Sequence, residues 1–275
     1  GTGISLILLG ALLFGLSFVP KPENSDTSGE MSAFERLTKI FYAPTEVFQN
    51  LRRHPRWFVA VLIISILSAA YSTIFYNYVG ADKITNYTVD KVADSGWVPA
   101  DKVADMRREQ LEASTNPIAR AGTAVSGFVG QTFFHAFLGL VFFLFALAMG
   151  GKLNYWQAFS VSVYAAFPVG LIRYVLSSGL IYLKDPSDIH PILGQTTLLQ
   201  DNLSFLVIPS EHPTLFVLLA AIGILSFYWL WLCATGIKNT GERVSSTIGW
   251  SAAIFIFLAQ LLLGIISSLV FPKFF

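Results

Sequence analysis

Charge is what this chain has least of: Asp, Glu, Lys and Arg make up 13% of its 275 residues, against 54% hydrophobic, and the mean hydropathy is +0.60. So little polar side chain does not cover a soluble globule of this size, which makes lipid part of the solvent. The net charge is only +1, and the charges fall between apolar runs, a pattern of spans and loops that excludes a nucleic-acid partner. The single cysteine, Cys233, lies inside an apolar run, so an intramolecular disulfide and a cysteine-based metal site are both excluded. Histidine is sparse too: His54, His135, His190 and His212 are scattered, with no pair one helical turn apart beside a glutamate to bind metal and activate water. Ser126 and His135 stand on one helical stretch but point in different directions, which removes a nucleophile and base pair. Gly150-Gly151 lacks the spacing of a phosphate-cradling loop. Asp and Glu are missing from the apolar runs, which argues against a proton-coupled carrier. No catalytic residue, cofactor or metal is read from the chain.

What is present is a series of apolar runs. The first, Ile4 to Val19, is slightly shorter than the ~20 residues that cross a bilayer comfortably. No Lys or Arg precedes it and no small-residue cleavage site follows Phe18-Val19-Pro20, which favours a retained helix over a cleaved signal. Lys21 to Glu30 (KPENSDTSGE) is a Pro-, Ser- and acid-containing linker without an apolar anchor. The division expected is therefore residues 1–30, an added apolar helix with its linker, and residues 31–275, a self-contained membrane unit.

That unit opens on an amphipathic stretch, Phe34 to Arg53. Phe34, Leu37, Ile40 and Phe41 recur at helical spacing, and after Pro44 the set Val47, Phe48, Leu51 resumes on a second short helix, expected to be capped by Thr45. Arg52, Arg53 and Arg56 follow, just ahead of a strong span, as a basic flank suited to the interface and to anionic headgroups, with a plain solvated flank as the simpler reading.

Five spans are expected: Trp57 to Val79, Gly127 to Met149, a central segment within Gly150 to Tyr182, Leu215 to Ala234, and Ser246 to Val270. Ser65 with Ala69, and Ser68 with Ser72, set small residues four apart on the first of these, a spacing that lets helices approach closely in lipid. Gly80 to Arg120 reads as an extramembrane helical hairpin, with patterns over Ala81 to Asp94 and Pro99 to Ala113. Lys184 to Pro213 contains an interior, Ile192 to Ile208, too apolar for a free loop and expected to form a re-entrant or interfacial helix. Gly80 to Arg120 holds seven acids against six bases and Lys184 to Pro213 four against one, whereas the short turns before the central span and after Ala234 are basic. Basic turns inside and acidic loops outside give a cytoplasmic Met31 segment. The fold class is thus an all-α integral membrane protein, a five-span bundle with an extra N-terminal apolar helix, an interfacial amphipathic segment and a helical hairpin.

RLTKIFYAPTEVFQNLRRHPRW before the first of these spans, GGKLNYWQAFSVSVYAAFP into the central one, and FYWLWLCATGIKNTGERVSSTIGWSAA linking the last two stand in an order that resembles the Yip-domain family of multi-span membrane proteins. The resemblance covers Met31 to Phe275, and DKVADMRREQLEA looks like the insertion common in bacterial members. It implies a membrane-organising or partner-binding role without established chemistry, in the bacterial inner membrane. The partners it implies are the lipid bilayer and a membrane protein or a second copy of the chain.

Polar groups inside the spans are the remaining candidates. Gln131 and His135 share one helix face, where an interhelical hydrogen bond is the simpler reading. Arg173 lies ~13 Å of helix from the outer end of the central span, and Pro168, five residues earlier, is expected to break that helix and free carbonyls for it. Arg173 either snorkels outward or caps the broken helix, or else it holds an anion or lipid headgroup. The leading function is a non-enzymatic organiser of lipid or partner proteins; the alternative is a small-solute or anion permease.

Overall fold

The computed structural model describes residues 29–96 and 98–275, and before them only Ile4, Ile7, Gly10, Ala11, Phe14, Gly15 and Phe18. Apart from those seven positions the expected N-terminal apolar helix, and the linker as far as Ser28, lie outside the described residues. Among those described the chain is helical and has no strand, its extended pairings being the isolated bridges Lys152–Glu242 and Asn202–Gly223. In chain order the helices are α1 Ala33–Lys39, α2 Pro44–Arg53, α3 Phe58–Val79, α4 Ala81–Ser95, α5 Ala100–Thr115 and α6 Pro117–Ala148. They continue with α7 Tyr155–Leu180, α8 Gly194–Thr197, α9 Pro213–Ala221, α10 Ile224–Thr240 and α11 Ser246–Val270. Among the described residues four are long and apolar enough to cross a membrane: α3, α6, α7 with the 3-10 turn after it, and α11, of 22, 32, 29 and 25 residues. At 1.5 Å per residue each exceeds the ~30 Å hydrocarbon layer.

The chain divides into two compact units. The first takes the chain up to Ile66, Val125–Leu171 and Leu225–Ala259. In it α1 starts on Ser32, whose hydroxyl accepts from the Glu35 amide at 3.1 Å, a cap that satisfies a free helical N–H. Helix α2 starts differently from expectation. Pro44 occupies its first position and Ala43 the cap, with no side-chain bond, so Thr45 is inside the helix and not its cap; a proline fits there because its missing N–H would have been unpaired anyway. The apolar face of α2 is spent on protein: Val47, Phe48 and Leu51 are wholly buried, and the Phe48 carbonyl accepts from Thr240 at 3.2 Å.

Glycine sets the close helix approaches of this unit. A Cβ on Gly139 of α6 would stand 2.7 Å from the Phe159 Cα of α7, and one on Gly249 of α11 2.4 Å from the Ala234 carbonyl oxygen of α10. Without a side chain the backbones touch, and van der Waals contact does in lipid what the hydrophobic effect cannot. Two turns are tied together as well: the amide of Lys152 donates to the Glu242 carbonyl at 2.7 Å and that of Glu242 to the Lys152 carbonyl at 2.6 Å.

Helix α7 runs unbroken through Pro168, contrary to the expected break. The ring costs the Tyr164 carbonyl its partner, but Tyr164, Ala165 and Phe167 are at most 2% exposed. Away from water a helix is the conformation that keeps the remaining backbone groups paired, so packing holds it through the proline.

The second unit takes Leu67–Ala124, Ile172–Ile224 and Gln260–Phe275. Its core is Tyr71, Phe75, Val79, Ile84, Ile181, Ile189 and Leu198. Within residues 80–120, α4 ends on Gly96 in the left-handed region (φ 75°), and Arg107 of α5 bonds Asn86 and Asp90 of α4 at 2.7 and 2.6 Å. Helix α4 is packed while α5 buries nothing.

Two expectations fail in this unit. Residues 192–208 do not form one helix but the four-residue α8 and a 3-10 turn, Leu203–Leu206. The expected span Leu215 to Ala234 is divided between α9 and α10 at Ile222-Gly223. One cause serves both. Asp201 and Leu203 spend backbone groups on the break, the Asp201 carbonyl accepting from Ile224 at 3.1 Å and the Leu203 amide donating to Ile222 at 3.3 Å. Gly223 leaves room for this, since a Cβ there would stand 2.9 Å from that of Asn202.

Candidate functional site

Inside the first unit the expected pair on α6 is separated in role. Gln131 accepts from the Ser65 hydroxyl of α3 at 2.8 Å, an interhelical tie. His135 is 3% exposed; its carbonyl accepts from Ser162 of α7 at 2.9 Å, while its ring Nδ1 has no partner. At the next residue, the Ala136 carbonyl accepts from the Tyr155 hydroxyl at 3.2 Å. The basic flank is also engaged. Arg52 pairs with Glu242 at 3.1 Å and its carbonyl accepts from Gln157 at 2.7 Å; Arg56 donates from Nε to Glu30 at 3.1 Å. Arg53 is exposed.

The same unit holds a cluster that sequence reasoning missed. Arg36, on α1, is 4% exposed. Its Nη1 bonds Asn50 Oδ1 at 3.2 Å and lies 3.7 Å from Glu30 Oε1, and its guanidinium faces the Tyr164 hydroxyl of α7. Asn50 also donates to the Gly29 carbonyl at 2.7 Å, so the last two residues of the linker are fastened to α2. His54, 4% exposed, stands near Glu30. The Arg56 hydrogen bond, ahead of the weaker influence of His54 and Arg36, holds the Glu30 carboxyl below the usual carboxylate range. Arg36 Nε and His54 Nε2 are buried without a hydrogen-bond partner. On an amphipathic helix with charge on one side, Arg36 reads as solvated; nothing local in the sequence signals its burial.

In the second unit Arg173 meets a residue that the sequence did not single out. Its Nη2 stands 3.4 Å from Asp201 Oδ1 and its Nη1 donates to the Thr196 carbonyl at 3.4 Å. Asp201 is the more buried partner, its side chain 9% exposed against 28%. One carboxylate therefore serves Arg173 through its side chain and the start of α10 through its carbonyl. Nearby, the loop is pinned to α3 and α4: Tyr71 and Tyr78 donate to the carbonyls of Gln195 and Lys184, and Lys83 to that of Pro186. His190 Nδ1 accepts from the Ile192 and Leu193 amides at 3.2 and 3.0 Å, which assigns the proton of the neutral ring to Nε2, 3.1 Å from the Tyr87 hydroxyl. Burial, with Lys91 and Lys83 nearby, lowers the His190 pKa.

Among the described residues no group of three or more His, Cys, Asp or Glu is placed to hold a metal. Several polar groups of the spans run helix to helix or helix to loop, an arrangement that positions backbone. Residues 38–269 match the sequence model described as the Yip1 domain. No curated protein and no solved structure matches the chain.

Proposed function

Because the chain belongs to the Yip1 domain family, we propose that it is a non-enzymatic integral membrane protein that organises lipid or partner proteins. The observation that carries this reading is how the polar groups of the apolar helices are used. Ser65 is spent on Gln131, Ser162 on the His135 carbonyl and Tyr155 on the Ala136 carbonyl, so the helices hold one another through these groups. Outward they present Phe134, Phe137, Leu258, Leu262 and Leu263, all exposed, to lipid or to another apolar surface.

The topology that fits is five crossings, α9 and α10 together supplying the fifth, since the 9 residues of α9 reach only ~13 Å alone. The short basic turns then face the cytoplasm of a bacterial inner membrane. Residues 31–275 form the unit, and Arg173 serves to hold the Asp201 loop. Single cysteines at Lys238 and Asp188, in a Cys233→Ala background, are expected to react with an impermeant thiol reagent from opposite sides; same-side labelling would overturn the five-crossing arrangement.

The functional reading is tested by purification from native membranes followed by reconstitution. A stoichiometric protein or lipid companion without solute flux in liposomes supports the organiser. Flux through the reconstituted chain, lost on disrupting its bundle, would replace it with the permease.

A further inference from the structure

The Arg36 cluster has more donors than its carboxylate can use. Two guanidiniums, Arg36 and Arg56, converge on one oxygen of one acid, Glu30 Oε1, at 3.7 and 3.1 Å. The other carboxylates of α1 and α2 are taken elsewhere, Glu35 and Glu46 both pairing with Lys39 at 3.1 Å. Positive charge is thus in excess at a position where Arg36 is 4% exposed. Burying a guanidinium is costly unless its charge and its N–H groups are met, yet Arg36 Nε and His54 Nε2 are buried without a hydrogen-bond partner, and the Tyr164 hydroxyl that faces the guanidinium brings no charge to offset it. Nε belongs to the edge through which a guanidinium takes two oxygens of one oxyanion.

Glu30 is also the part of the cluster best able to leave. Its side chain is 27% exposed, against 5% for that of Arg36. The shorter Glu30 ion pair is with the exposed Arg56 at 3.1 Å, of a kind individually weak in water; the buried Arg36 stands farther off at 3.7 Å, and the Asn50 bond to Gly29 holds the backbone beside it. Gly29 sits at φ 80°, a conformation only glycine adopts at no cost, so the chain turns sharply to set Glu30 against the two arginines.

We propose that Arg36, His54, Asn50 and Arg56 form an oxyanion site in which the Glu30 carboxylate is a built-in occupant, exchangeable for the phosphate group of a lipid headgroup or of a free phosphate. A tetrahedral phosphate carries more acceptor oxygens than the carboxylate. It meets Arg56 and the Arg36 Nη1 as Glu30 does, and adds acceptors for Arg36 Nε and for a His54 Nε2 that carries its proton there, both of which are buried without a partner. Displacing Glu30 frees the Gly29 end of the linker from α2. This assignment does not depend on the organising role proposed above.

The test uses the full chain in detergent, stripped of lipid, as wild type, Glu30→Gln, and Glu30→Gln combined with Arg36→Gln or with Arg56→Gln. Inorganic phosphate is titrated by calorimetry, and retention is measured on vesicles of phosphatidylglycerol against vesicles of a phosphate-free neutral glycolipid. Glu30→Gln removes the resident charge and is expected to tighten phosphate or phosphatidylglycerol binding at least tenfold over wild type. Either second substitution should reverse the gain. Arg56→Gln keeps the test decisive if Arg36→Gln aggregates, since Arg56 is exposed. Response to the free ion assigns the ligand to soluble phosphate; response to the phospholipid vesicles alone assigns it to the headgroup. Equal binding by wild type and Glu30→Gln in both arms, or a gain that survives loss of either arginine, overturns the site.

Discussion

Each unit keeps an arginine where charge is expensive, and the two are neutralised differently. Arg173 pairs with the carboxylate of Asp201, which also accepts from Asn202 and whose backbone starts α10. Arg36 shares its acid with Arg56 and leaves Nε without a partner. An ion pair tied into the backbone is architecture: removing a member damages the fold. Two cations around one exchangeable acid form a site, and changing a member alters what is bound.

The largest effect that would sharpen this contrast is expected at Asp201. Asp201→Ala strands Arg173 and is expected to cost about 2–3 kcal/mol in denaturant titration, below the range for a fully buried pair because Arg173 reaches some solvent. Arg173→Leu combined with Asp201→Leu should recover much of that loss. Additive single-site losses would show that the two do not work as a pair, and the contrast would fail. Next comes Gly236→Val in the first unit, where a Cβ stands 2.6 Å from Val161 Cγ1 and 2.9 Å from Phe48 Cε1. Overpacking there should cost about 2 kcal/mol and expose α2 to protease; Gly130→Ala, with nothing within 4 Å of the added carbon, is the control and should be neutral or slightly stabilising. An intact α2 in Gly236→Val would mean that the Arg36 cluster is not anchored by the bundle.

A smaller effect is expected from pH at the second unit's loop. The His190 pKa is lowered from 6.5, so above 6.5 the neutral ring contributes in full. As pH falls below 6.5 the unfolded chain binds the proton first, and stability declines until the folded ring also titrates. The amides of Ile192 and Leu193 then lose their acceptor, worth less than about 1 kcal/mol, and should show lower protection factors, taken against the intrinsic exchange rate at each pH, at pH 5 than at pH 7.5. The first unit moves at lower pH: Glu30, held below 4.5, contributes above that value and releases as pH falls through its lowered one. The smallest effect is Arg56→Gln, whose exposed pair should change stability by under about 1 kcal/mol. A large loss there would turn the proposed site into a structural ion-pair network.

The apolar runs, the helical hairpin and the amphipathic opening were legible in the sequence because each rests on local periodicity. What escaped rests on partners distant in the chain. Ile222-Gly223 carries no turn signature, and the break appears because Asp201 and Leu203 bond across it. Pro168 signals a break that its packed neighbours overrule. Arg173 was visible as an anomaly, yet its counterion lay in a loop where one more acid attracts no notice. Arg36 was hidden more deeply, since one charged residue on an amphipathic helix looks the same whether its face meets water or α7.

The paired amides of Lys152 and Glu242 bear on biosynthesis. The turn ahead of α7 leaves the ribosome roughly 90 residues before Glu242, and at about 5–20 residues per second it waits several seconds for its partner. Through that interval the junction between α6 and α7 has Gly139 and Ser162 to hold it but no clasp at its end. Final registration of α10 and α11 against the earlier helices is thus a late event, and a nascent chain stalled before Glu242 offers quality-control proteases an open turn that the finished protein does not.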